Sequence, residues 1–153
     1  MQRDYSDHFS ALDNDLHFNE ILDTLYIAIE RINQLSRATL DELRRQHNLT
    51  QRGLHILGRV IVGDDTPSDL VMHFVLPAST VTFEINKLVS AGLLVRSQGE
   101  FDRRGTKLIA TMEGLTVHRE VIKRITALMM PRFEKVPRAK LRAFLQVLGN
   151  VSR

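Results

Sequence analysis

The feature that most constrains this chain is a change of period at Gly92. Before it, residues 50–91 break into three short amphipathic segments, and after it come two β-prone runs around a glycine-punctuated tip. Thr50 can cap the first segment, whose buried positions are Leu54, Leu57 and Val60 or Ile61, and Gly63-Asp64-Asp65 ends it. Thr66-Pro67-Ser68-Asp69 then offers a capping hydroxyl, a proline at the first helical position and an acid at the third, which predicts a short helix to about Phe74. Leu76-Pro77 turns the chain into a helix over 78–91. Val81, Ile85 and Leu88 form its buried stripe, with Ala78 and Val89 beside them, and Gly92 closes it as a C-cap.

The strands are expected over 93–96 and 107–111, with the charged tip 97–105 between them. Upstream, Leu16, Ile21, Leu25, Ile29, Ile32 and Leu35 recur at threes and fours within 12–47, which reads as one long helix with room for a bend near Ser36 or as two helices. Downstream, Thr111 can cap a long helix along Leu115, Ile122, Ile125 and Met129 that ends before Pro131. A last helix is expected from near Pro137 along Leu141, Phe144, Leu145 and Leu148 to Gly149. The fold class is therefore mainly α with a two-stranded β wing. That is a winged helix-turn-helix over 49–114, flanked by helical regions over 10–47 and 115–150, in a single domain of 1–153.

Composition narrows the function classes. The 153 residues include no cysteine, which removes disulfides, thiol sensing and cysteine-ligated metal. No apolar run approaches the roughly 18 residues of a spanning helix, and the N-terminal MQRDYSDHF has no apolar signal segment, so a cytoplasmic protein without a membrane partner is expected. The net charge of +3 is mildly basic, but its distribution is uneven. Residues 1–30 carry seven acids against Arg3, and residues 115–153 carry nine bases against Glu120 and Glu134. Ends of opposite sign can attract one another within or between chains, although solvated helix faces would look the same.

The outward face of the helix over 78–91 carries Ser79, Thr80, Asn86, Lys87 and Ser90, with an aromatic ring, Phe83, in their middle. In a winged helix such a helix can enter the major groove of double-stranded DNA while the ribbon reaches the backbone or a minor groove. Thr50, Ser79-Thr80-Val81-Thr82, Lys87-Leu88, Ala91-Gly92-Leu93-Leu94, Asp102-Arg103-Arg104, and Thr111 with Gly114 resemble the MarR family of bacterial transcriptional regulators. The resemblance covers about residues 49–115, and the hairpin Asp-Arg-Arg followed by Thr and Gly is its most specific part. The flanking helices fit the family's dimerisation region by order and length.

The resemblance implies a homodimer on a pseudo-palindromic operator, acting as a repressor and released by a small aromatic or phenolic effector bound between the two regions. It implies that Asp102 braces the wing tip while Arg103 and Arg104 face DNA, with Arg104 in the minor groove. On physical grounds Gln51, Arg52, Arg96 and Lys107 can touch phosphates, and Ser79, Thr80, Asn86 and Lys87 can contact bases or phosphates. The sequence departs from the family where arginine often follows Ser-Thr-Val-Thr. Phe83 stands there and cannot make arginine's paired hydrogen bonds to guanine, so it is expected to contact thymine methyls unless it packs back against the wing or the short helix. A smaller departure is Ala110, where an aliphatic residue usually precedes the capping threonine.

The six histidines show no i, i+4 pair and no recognisable metal spacing, and no metal or resident cofactor is expected. His118, on the long helix, is expected to be a hydrogen-bonded core histidine. No nucleophile elbow, P-loop or dinucleotide fingerprint is present, so an enzyme is disfavoured. The competing class is a winged-helix module that binds a protein, for which Phe83 would be an interface anchor.

Overall fold

The computed structural model describes residues 16–98 and 106–151. The chain divides into two compact units, one ending at Ala38 and one beginning at Thr39. Helix α1 (Leu16–Gln46) crosses that boundary and is continuous through Ser36. It is followed by α2 (Gln51–Val62), α3 (Pro67–Phe74), α4 (Ala78–Ser90), β1 (Leu94–Gln98), β2 (Thr106–Ala110), α5 (Met112–Phe133) and α6 (Arg138–Val151). Among the described residues no helix is long and apolar enough to cross a membrane.

Three threonines start three helices. Thr50 Oγ1 accepts a hydrogen bond from the Gly53 N–H at 2.9 Å, Thr66 Oγ1 from Asp69 at 3.2 Å, and Thr111 Oγ1 from Gly114 at 3.0 Å. Each such cap is worth about 1 kcal/mol. The Thr66 hydroxyl also donates to Asp69 Oδ2 at 2.6 Å, and that of Thr111 donates to the Gly92 carbonyl at 2.7 Å. The turn after α4 needs Gly92, at φ 71°, because that left-handed conformation is costly for a residue with a Cβ. Val75 ends α3 in the same region, at φ 50° and ψ 47°, without glycine's freedom.

The core of the second unit is built from Leu40 and Leu43 of α1, Leu54, Ile56, Leu57 and Val60 of α2, Leu70 of α3, and Val81, Ile85 and Leu88 of α4. Leu94 and Leu108 of the ribbon close it from one side, and Val117 and Val121 of α5 from another. The ribbon is antiparallel, with Val95 opposite Ile109 and Ser97 opposite Lys107. Its β2 strand is tied to the turn after α2, where the Leu108 N–H donates to the Asp65 carbonyl at 2.7 Å. In the same turn Arg59 Nε donates to Asp64 Oδ2 at 2.7 Å and holds that carboxyl below the usual range.

Helix α5 differs from the sequence expectation in two respects. It passes through Pro131 to Phe133. The proline removes one N–H from the last turn, but the Glu134 N–H still closes on Met130 at 2.9 Å, so the helix survives the gap. The buried stripe is also rotated. Gly114, Val117 and Val121 face inward with Ile125 packed beside them, whereas Ile122 is 53% exposed and Leu115 and Met129 are only half-buried. The cause lies at the start of the helix, where Gly114 packs so closely on the Leu93 carbonyl that a Cβ would collide with it. That contact sets which residues follow inward at helical spacing.

Each terminal helix leaves apolar surface uncovered. Tyr26, Ile27 and Ile29 are exposed on α1, and Phe144, Leu145 and Val147 are exposed on α6. Leu141 and Leu148 are half-buried.

Candidate nucleic-acid interface

Burying Val81, Ile85 and Leu88 obliges α4 to present its opposite face to solvent. Ser79, Asn86 and Ser90 are exposed there, and Thr80 and Lys87 are half-buried. Phe83 is 56% exposed, with the Lys87 ammonium 5.3 Å from its ring centroid. The ring therefore does not pack back into the protein. Contact with the cation stabilises an exposed ring by about 0.5–1 kcal/mol. Phe83, Asn86, Lys87 and Ser90 form one wall of an open groove of about 370 Å³, and His47 and Asn48, at the end of α1, contribute to it.

The ribbon flanks this face, and two of its cations already have partners. Arg96 of β1 donates from Nη2 to Asn86 Oδ1 at 2.6 Å, which ties the ribbon to α4 and engages one of the two groups Asn86 would need to read adenine. Lys107 of β2 donates from Nζ to Asp65 Oδ2 at 2.9 Å, and this hydrogen bond to the carboxylate raises the lysine's pKa. A phosphate would have to compete with Asp65 for that ammonium. At the start of α2, Arg52 is exposed, while Gln51 is half-buried with Nε2 3.4 Å from His55 Nε2. Asp102, Arg103 and Arg104 lie outside the described residues.

Two groups that shape this surface escaped the sequence reading. Glu84 faces inward on α4 and is 2% exposed, accepting a hydrogen bond from Thr50 Oγ1 at 2.8 Å. Its signal was present, since position 84 falls between Val81 and Leu88 on the buried arc. Asp65 had no such signal, because its partner stands 42 residues away.

A second cavity of about 370 Å³ lies between the end of α1 and α5, lined by Leu43, Val117, His47, Thr116, Arg119 and Lys123 together with Glu113 and Glu120. His47 contributes to both cavities. His118 is half-buried beside Gly58 and, among the described residues, makes no hydrogen bond, in contrast to the expected bonded core histidine. Burial lowers its pKa. Among the described residues no group of three or more histidine, aspartate or glutamate side chains is placed to hold a metal ion.

No family model and no curated protein matches the sequence. Solved structures do match the fold. NadR in complex with 4-hydroxyphenylacetate superposes with a TM-score of 0.72 at 22% identity, over 87% of this chain and 92% of that one. CouR from Rhodococcus jostii RHA1, bound to p-coumaroyl-CoA, gives 0.70 at 19% identity over 85% and 92%. A transcriptional regulator of the MarR family from Silicibacter pomeroyi gives 0.68 at 21% over 81% and 84%. The chain thus has the winged-helix fold of MarR-family regulators, the fold its motifs implied.

Proposed function

We propose that this protein is a DNA-binding transcriptional regulator that works as a homodimer on a pseudo-palindromic operator, with repression as its outcome. The observation that carries this reading is the outward face of α4. It combines Ser79, Asn86 and Lys87 with an exposed Phe83, stands beside a β ribbon, and belongs to a fold whose solved relatives include transcriptional regulators. Residues 49–114 are the DNA-binding region in this reading. Residues 10–47 and 115–150 supply the dimer, in which a second copy covers the apolar faces of α1 and α6 and the acidic first 30 residues meet the basic last 39. Arg104 reaches the minor groove, where narrow A/T tracts concentrate negative potential.

The cavity beside α5 suits a small aromatic or phenolic acid as effector. Leu43 and Val117 offer it apolar contact and Arg119 offers it charge, while Lys123 lies 3.8 Å from Glu120 Oε2 and would have to turn from that carboxylate to the effector. The support from relatives is that NadR holds 4-hydroxyphenylacetate and CouR holds p-coumaroyl-CoA.

Selection from a random DNA pool tests the regulator reading. A two-fold-related motif with half-sites about one helical turn apart is the expected result, and the affinity must fall steeply with salt. Failure to enrich any sequence, or binding indifferent to salt, would favour the protein-interaction module instead. Light scattering showing a stable monomer at micromolar concentration would remove the dimer.

A further inference from the structure

Nothing in the proposed DNA contacts uses the buried carboxyl group of Glu84. It sits on the inward arc of α4 among Val81, Ile85 and Leu88, and among the described residues no basic side chain pairs with it. Among the described residues its one side-chain hydrogen bond comes from Thr50 Oγ1 at 2.8 Å, and that threonine oxygen accepts the Gly53 N–H at 2.9 Å. Two linked hydrogen bonds therefore run from the first turn of α2 to the middle of α4. The fit around them is close, since a Cβ on Gly53 would stand 3.3 Å from Glu84 Oε2.

A carboxyl group in this place costs stability that a leucine of similar size would not. What it adds is direction. Apolar contacts are non-directional and tolerate small rotations of one helix on another, whereas a hydrogen bond weakens steeply when its angle or length changes. The margin is narrow, because a rotation of α4 by about 20° carries a side-chain tip about 2 Å, given a helix roughly 10–12 Å across with its side chains. Phe83 precedes Glu84 directly, and Lys87 follows one turn later.

We propose that Glu84 is a positioning residue for sequence discrimination: through Thr50 it pins α4 against α2 and so fixes where Phe83 and Lys87 project. This rests on the DNA-binding reading above. The cost in stability is retained because an α4 held by packing alone would present its outer face in several orientations.

The test uses the full chain, the DNA selected by the wild type, and random-sequence DNA of equal length. Glu84→Leu is expected to melt no lower than wild type while its discrimination between the two DNAs falls about tenfold, the loss typical of one misplaced base contact. Glu84→Gln keeps an acceptor for the Thr50 hydroxyl and retains most of the discrimination. Thr50→Ser retains it as well, whereas Thr50→Gly, which keeps a tolerable cap but has no hydroxyl, loses it. A Glu84→Leu protein that discriminates as well as wild type overturns the proposal, and so does one that melts well below wild type, since the role is then structural. If Glu84→Leu does not fold, the Thr50 pair decides alone: equal discrimination by Thr50→Ser and Thr50→Gly overturns it. A wild type that prefers no sequence sinks the DNA reading and this proposal together, whereas a discriminating wild type with indifferent variants sinks this proposal alone.

Discussion

Truncating Phe83 to alanine separates a groove-reading ring from a packing ring, and the structure sets the size of both effects. The ring is 56% exposed, so folding buries less than half of it. Full burial of such a side chain stabilises by about 1.5–3 kcal/mol, and the buried share corresponds to roughly 1 kcal/mol. Loss of the Lys87 ammonium, 5.3 Å from the centroid, adds about 0.5–1 kcal/mol. Phe83→Ala should therefore lower folding stability by about 1–2 kcal/mol, well short of the roughly 3–5 kcal/mol that a buried phenylalanine would cost. In DNA binding it should lose roughly 1 kcal/mol or more, about fivefold, if the ring meets a thymine methyl. Thermal melting measures the first quantity. Titration on the selected operator, with thymine replaced by uracil at one position at a time, measures the second. Wild type should lose affinity at one position where the mutant is indifferent, because each change removes one side of a single contact. Wild-type affinity unchanged at every uracil position would refute the methyl-reading role.

Three further outcomes follow from the geometry. Val75→Gly should stabilise the protein by about 0.5–1 kcal/mol, since relief of a left-handed valine, about 1–2 kcal/mol, exceeds the added freedom of the unfolded glycine, about 0.5–1 kcal/mol. Val75 is 88% exposed and has little burial to lose, so a lower melting temperature would contradict the strain argument. Asp65→Asn frees Lys107 and should steepen the salt dependence of DNA binding by up to about one phosphate's worth, a slope change of roughly 0.9, while Lys107→Met leaves it nearly unchanged; the reverse pattern would show that Lys107 contacts phosphate despite its pair. Burial holds the pKa of His118 below its ordinary 6.5, so the folded state favours the neutral ring. Its contribution to stability is whole above that pH and is lost as the pH falls through it towards the lower folded value, and His118→Gln should reduce the acid-induced drop in melting temperature. Equal acid sensitivity in wild type and variant would exclude His118 as a source of it.

The order and type of the helices and the ribbon could be read from local chemistry. Thr50, Thr66 and Thr111 cap helices because a hydroxyl three residues before a free N–H satisfies it whatever surrounds the chain. Val81, Ile85 and Leu88 mark a buried stripe by spacing alone. Where local rules competed, reading was poorer. Pro131 signalled a helix end, yet the following turn still closed on Met130 and α5 continued to Phe133.

Period, capping and turn chemistry act over a few residues, and for that reason the sequence by itself determined the winged-helix order, the inward face of α4 and the set of side chains left on its outer face. Long-range packing decided the rest. The rotation of α5 follows from Gly114 meeting the Leu93 carbonyl, the docking of the wing from Asp65 meeting Leu108 and Lys107, and the setting of α4 from Thr50 meeting Glu84. Each of these pairs joins residues that no local pattern couples. Their energies depend on distances of about 3 Å that arise only when the whole chain has folded.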